Sequence, residues 1–68
     1  MNITILGAGE VGKQLAWTLS TKRNSVTVVD IRATLLERLK DRLDVMTVQG
    51  DCASIRILKE LERDNIIH

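Results

Sequence analysis

The sequence predicts an α/β fold built on a parallel sheet, and three observations carry that prediction. Short β-branched runs alternate with stretches of helical periodicity. Those runs are almost continuously apolar, as expected of strands covered by helices on both faces. No proline, Ser/Gly linker or low-complexity segment interrupts the alternation.

The first run, Asn2 to Leu6 (NITIL), ends at a glycine and reads as a strand. Val11, Leu15 and Leu19 then fall on one helical stripe, with Ala16 at its margin and Trp17 pointing away. Ser25 to Asp30 (SVTVVD) is the second expected strand. The second helix has the cleanest pattern, because Leu35, Leu36, Leu39 and Leu43 share a face opposite Glu37 and Asp41. Val45 to Gln49 (VMTVQ) reads as a third strand. A third helix is expected to start at Ser54, a good N-cap residue, and to bury Leu58 and Leu61. The ending Asp64-Asn65-Ile66-Ile67-His68 resembles the stub of a fourth strand.

This β-α-β-α-β-α order is one half of a doubly wound fold, with strand order 3-2-1 and right-handed crossovers. On that reading the free edge of the first strand is exposed or covered by a second copy of the chain. Self-association is expected for the same reason.

The bulk properties narrow the function classes. A chain of 68 residues makes one small domain, and such a domain buries only about 60% of its unfolded surface. Cys52 has no partner for a disulfide, a pattern that suits a reducing cytoplasm. One cysteine and the terminal His68, which reads as mobile, make no zinc site. The start lacks the basic and long apolar regions of a signal peptide. No run approaches the roughly 18 apolar residues of a membrane span, so direct membrane insertion is not expected. Ten Lys and Arg nearly balance nine Asp and Glu, and only Trp17 could stack on a base, so nucleic acid is not an expected partner.

Gly7-Ala8-Gly9-Glu10-Val11-Gly12 is a G-x-G-x-x-G loop, and its context strengthens it. It follows an expected strand, opens an expected helix and is followed at about the right distance by Asp30. The fold class is therefore a Rossmann-like half-domain, α/β, spanning residues 1–68. Gly7 permits the tight turn, Gly9 leaves room for a pyrophosphate, and Gly12 lets the helix pack closely. The amides of Gly9, Glu10 and Val11 are the candidate phosphate donors at the helix start. The alternative is a strand-to-helix turn without a ligand.

Asp30 could accept hydrogen bonds from ribose hydroxyls, cap the following helix, or do both. A 2′-phosphate would face its like charge, which favours NAD over NADP, although Arg32 is the residue type that welcomes that phosphate. Asp51 lies at the same sheet edge and could meet an adenine amino group or cap the third helix with Ser54. Glu10 could repel a diphosphate unless its side chain turns outward. Lys13 belongs to no G-K-[ST] motif, and Cys52 reads as an inert thiol. Trp17 marks either a partner surface or packing against the chain end or a neighbouring helix.

Taken together, "ITILGAGEVGKQLAWTL", "VTVVDI" and "VQGDCASIRIL" resemble the N-terminal nucleotide-binding (RCK or KTN) domain of TrkA-type potassium-uptake regulators, from Asn2 to about Leu61. The resemblance implies a cytoplasmic regulatory subunit, at the inner face of the membrane through a potassium transporter partner. It implies NAD or NADH as ligand, with ATP, ADP and AMP as further candidates, and no chemistry of its own. Gly7, Ala8, Gly9, Glu10 and Val11 would line the pyrophosphate, Asp30 would bind the adenosine ribose, and Asp51 and Cys52 would lie beside the adenine. The family domain is about twice as long, and the residues of its nicotinamide side have no counterpart here. The loop after the third helix usually carries a glycine, whereas "LKELERDNIIH" has none.

Two other readings remain. One is the coenzyme-binding fragment of an NAD-dependent dehydrogenase, although no acid/base constellation is present. The other is a self-assembling domain with a vestigial glycine loop.

Overall fold

The computed structural model describes residues 1–67, so the expectations for His68 lie outside the described residues. The elements are β1 (Asn2–Leu6), α1 (Glu10–Ser20), β2 (Ser25–Asp30), α2 (Ala33–Arg42), β3 (Met46–Gln49), α3 (Cys52–Leu61) and β4 (Asn65–Ile67). The four strands are parallel and ordered β3-β2-β1-β4. With right-handed crossovers, the two steps outward put α1 and α2 on one face, and the step back puts α3 on the other.

The α/β class and the 3-2-1 order are as the sequence predicts, and the expected stub is a strand. That stub changes the edge argument. β4 pairs with β1, with Thr4 opposite Ile66, so the edge of β1 is covered by the chain itself rather than exposed or covered by a second copy. Two side chains hold the short strand there. The fully buried Thr4 hydroxyl donates to Asp64 Oδ2 at 3.0 Å. Asn65 Nδ2 donates to the Asn2 carbonyl at 3.1 Å.

Alternation along the central strands builds the main core. Ile3 and Ile5 on β1, with Val26 and Val28 on β2, join Ala16, Leu36 and Leu39 in one cluster under α1 and α2. The second helix follows its predicted stripe: Leu36 and Leu39 are buried, while Leu35 and Leu43 pack at its sides.

The first helix is rotated from its predicted stripe. Ala16 is its fully buried centre, Leu15 and Leu19 flank it, and Val11 is 72% exposed. The cause is close approach at Gly12, where an added Cβ would collide with the Gly7 carbonyl oxygen and lie 3.5 Å from Ile5 Cγ2. A helix drawn in that tightly presents its smallest side chains, Gly12 and Ala16, to the sheet.

The third helix also departs from expectation. It begins at Cys52, and Asp51 caps it by accepting the Ala53 N–H at 2.9 Å, so Ser54 lies inside the helix. Starting earlier resets the helical phase. Cys52, Ile55 and Lys59 turn half-buried toward the sheet, while Leu58 and Leu61, expected to be buried, are 56% and 78% exposed.

The end of α3 is a Schellman motif. The Arg63 N–H donates to the Glu60 carbonyl and the Asp64 N–H to the Lys59 carbonyl, both at 3.1 Å. Arg63 sits at φ +61°, the left-handed position that glycine commonly fills.

Candidate functional site

Three segments meet at the carboxyl edge of the sheet: the loop after β1, the end of β2, and the β3–α3 turn. The strand order reverses between β1 and β4, so the glycine loop stands at the topological switch point, where open α/β sheets bind ligands.

Gly7 begins the loop at φ +116°, a conformation that L side chains rarely adopt, and its N–H donates to the Val29 carbonyl at 2.7 Å. The chain then turns into α1, whose first intrahelical amide is Lys13, bonded to the Gly9 carbonyl at 2.8 Å. The amides of Gly9, Glu10 and Val11 take no partner among the described residues. These are the orphan donors of a helix start, reinforced by the positive end of its dipole. A Cβ added to Gly9 would meet nothing within 4 Å, so the space beside these amides is open. Glu10 does not fill it. Its side chain is exposed and pairs with Lys13 Nζ at 3.2 Å. The loop thus fits a phosphate group by donors, dipole and room.

Ala8 is placed differently from its neighbours. Its side chain is buried, and its N–H donates to Asp30 Oδ2 at 2.8 Å. That amide is spent within the protein.

Asp30 ends β2 with a carboxylate only 5% exposed. Oδ1 accepts from the Arg32 backbone N–H at 2.8 Å and from Arg32 Nε at 2.9 Å. Oδ2 accepts from Ala8 and from Arg32 Nη2 at 2.9 Å. The Arg32 guanidinium fork, with help from the two backbone amides and against the effect of burial, holds the Asp30 carboxyl well below the usual carboxylate range. Reciprocally, Asp30 raises the affinity of Arg32 for its proton. The site therefore holds a fixed anion beside a row of amide donors. The Arg32 fork was not legible from helical or strand periodicity. The signal that could have found it is an aspartate at a strand end with an arginine two positions on, the spacing of an Asx turn.

Asp51 adopts the capping role, one oxygen of its exposed carboxylate accepting from the Ala53 N–H. Cys52 is half-buried beneath it, and its Sγ donates to the Val29 carbonyl at 3.6 Å. Burial first, then the nearby Asp30 and Asp51 charges, push the Cys52 thiol up, so it stays protonated and poorly nucleophilic near neutrality. Asp30 and Asp51 close two neighbouring strands at the same edge, linked by the Gly50 N–H donating to the Asp30 carbonyl at 3.1 Å.

A groove of about 800 Å³ runs from the loop down between α1 and α2. Gly9, Glu10 and Arg32 bound its upper end, and Trp17, Arg38 and Arg42 its flanks. Trp17, 63% exposed, thus forms one wall of this groove and is not buried against the neighbouring helix. Among the described residues, no helix is long and apolar enough to cross a membrane.

Comparison with known proteins places this arrangement. Residues 3–67 match the family model of the TrkA-N domain. The chain is 45% identical over 60 residues to the Trk system potassium uptake protein TrkA of Halomonas elongata. It is 40% identical over 60 residues to the protein of the same name from Haemophilus influenzae. With the Trk system potassium uptake protein trkA homolog 1 of Methanosarcina mazei it shares 39% identity over 61 residues. These stretches cover 88%, 88% and 90% of this chain, but only 13%, 13% and 14% of those relatives. Matched from the first strand to the fourth, with its glycine loop at the switch point of a parallel sheet, the chain belongs to the TrkA-N domain family.

Proposed function

We propose that this chain is the adenosine-binding half of a regulatory nucleotide module serving a potassium-uptake system. The ligand class is an adenine nucleotide, NAD or NADH first, with ATP, ADP and AMP sharing the same adenosine and phosphate chemistry. The observation that carries the reading is the row of unpartnered amides at Gly9, Glu10 and Val11, one strand away from the buried carboxylate of Asp30. The amides suit a pyrophosphate, and the carboxylate suits a ribose diol. Asp51 and Cys52 border the place where the adenine would rest.

On this reading residues 1–68 are a partial nucleotide-binding domain that performs no chemistry and responds because the nucleotide binds two conformations unequally. The relatives are named as potassium uptake proteins, and the partner we propose is a membrane potassium transporter subunit, with the chain cytoplasmic and peripheral to the membrane. Association with further copies belongs to the same proposal, now without the support of an open β1 edge.

Calorimetric titration of the folded chain with NADH tests the central claim. Saturable binding that Asp30→Ala weakens supports it; no saturation at millimolar NADH refutes it.

A further inference from the structure

The Asp30 carboxylate that the proposed function assigns to a ribose is already fully engaged. A carboxylate offers about four acceptor positions. All four are taken, by the Ala8 and Arg32 amides and by two nitrogens of one guanidinium, at 2.8–2.9 Å. The backbone amides are fixed by the fold. The guanidinium is not: the Arg32 side chain is 59% exposed and lies on the solvent side of a carboxylate that is 5% exposed. A ligand approaching Asp30 from solvent meets the Arg32 fork first.

We infer that Arg32 is a built-in competitor for the ribose, and so sets the affinity of the site. A vicinal diol presents two donors side by side, as the fork presents Nε and Nη2. The diol and the fork compete for the same two acceptor positions, so one must leave before the other enters. The exchange is feasible because Arg32 has its head in water and a flexible stem. No other cation replaces it at Asp30, since among the described residues the carboxylate pairs with Arg32 alone. The apparent affinity for an unphosphorylated ribose is the intrinsic affinity reduced by the fraction of molecules in which the fork is open. A half-exposed bidentate pair keeps the fork closed most of the time, which lowers apparent affinity by roughly 2- to 6-fold. The inference rests on the nucleotide reading proposed above.

The test is calorimetric titration of NADH into the wild-type chain, Arg32→Gln and Arg32→Lys. It is paired with nuclear magnetic resonance of the Arg32 Nε–H in the wild type. Arg32→Gln removes the charge and the fork, and it should tighten NADH binding by roughly 2- to 6-fold. Arg32→Lys keeps a charge without a fork and should fall between. NADH should shift the Nε–H resonance of the wild type and speed its exchange with water. Equal or weaker binding by a folded Arg32→Gln, or an Nε–H signal that NADH leaves unchanged while binding saturates, overturns the competitor role and leaves the nucleotide reading standing. Failure of all three chains to bind, each folded by circular dichroism, refutes the nucleotide reading and the competitor role with it.

Discussion

The Ala8 amide donates to Asp30 Oδ2 at 2.8 Å, across twenty-two positions of sequence. This bond fastens the loop after β1 to the end of β2 and removes one amide from the set available to a ligand. It also makes Asp30 structural in the absence of any nucleotide, because the buried N–H has no other acceptor among the described residues.

Asp30→Ala should therefore lower stability as well as binding. The variant leaves the Ala8 N–H unsatisfied, at a cost of roughly 1–3 kcal/mol. Urea unfolding of the ligand-free chain measures this directly. An unchanged midpoint would mean that the loop relaxes and finds water for Ala8, and that the bond contributes nothing net.

The same carboxylate gives stability a pH dependence of definite sign. Its proton is bound more weakly in the folded chain than at the ordinary value of 3.8, chiefly because of the Arg32 fork. The stabilisation is complete above the ordinary carboxylate range. It begins to be lost as pH falls through that range, where the unfolded chain takes up the proton first, and is gone only below the lowered folded-state value. Other carboxylates add to the slope, so the informative quantity is the difference between wild type and Asp30→Asn. The wild-type Tm should fall more steeply below about pH 5 than that of Asp30→Asn, whose side chain does not titrate. Parallel curves would place the acid sensitivity elsewhere.

Two loop glycines separate architecture from ligand binding. Gly12→Ala drives a methyl into the Gly7 carbonyl oxygen, which is backbone and cannot turn aside. It should cost about 1–3 kcal/mol or more, a large fraction of the stability of so small a domain. Gly9→Ala adds a methyl to open space at an ordinary backbone conformation, so the fold should lose no more than about 1 kcal/mol. That methyl nevertheless stands where a pyrophosphate must approach the amides. Gly9→Ala should thus stay folded and lose at least 10-fold in NADH affinity, by thermal melts and calorimetry together. Full binding by Gly9→Ala would mean that no phosphate lies against the loop.

The contrast between these glycines follows what was legible in the sequence. Roles set by local backbone geometry could be read: the left-handed turn at Gly7, the close approach at Gly12, and the strand ends at Leu6 and Asp30. Roles set by competition between neighbours could not. Asp51 and Ser54 are both good caps, and choosing Asp51 turned Leu58 and Leu61 outward by resetting the phase of α3. In α1, periodicity alone cannot show that close approach favours Ala16 over Val11 at the sheet. Pairing of the three-residue β4 with β1 depends on Thr4 and Asp64, a contact across sixty positions. At the candidate site, the amide row was readable, whereas the Arg32 fork over Asp30 arises in a turn that has no period.

Arg63 offers a stabilising substitution. It occupies the left-handed position of the Schellman motif at φ +61°, where a side chain costs roughly 1–2 kcal/mol relative to glycine. Glycine loses more backbone freedom on folding, by roughly 0.5–1 kcal/mol, so relief of strain wins by a small margin. The side chain itself is exposed and makes no ion pair among the described residues, so little else is given up. Arg63→Gly should stabilise the chain by about 0.5–1 kcal/mol, which for a domain of this size raises Tm by roughly 2–8 °C. Arg63→Ala provides the control, because it removes the charge and the stem but keeps the Cβ that the left-handed region penalises. Thermal melts of the three chains decide the matter. A rise for glycine alone locates the strain at the backbone of residue 63. Equal rises for both variants would assign the effect to the arginine side chain, and no rise in either would mean that any strain at Arg63 does not exceed the backbone freedom that glycine loses.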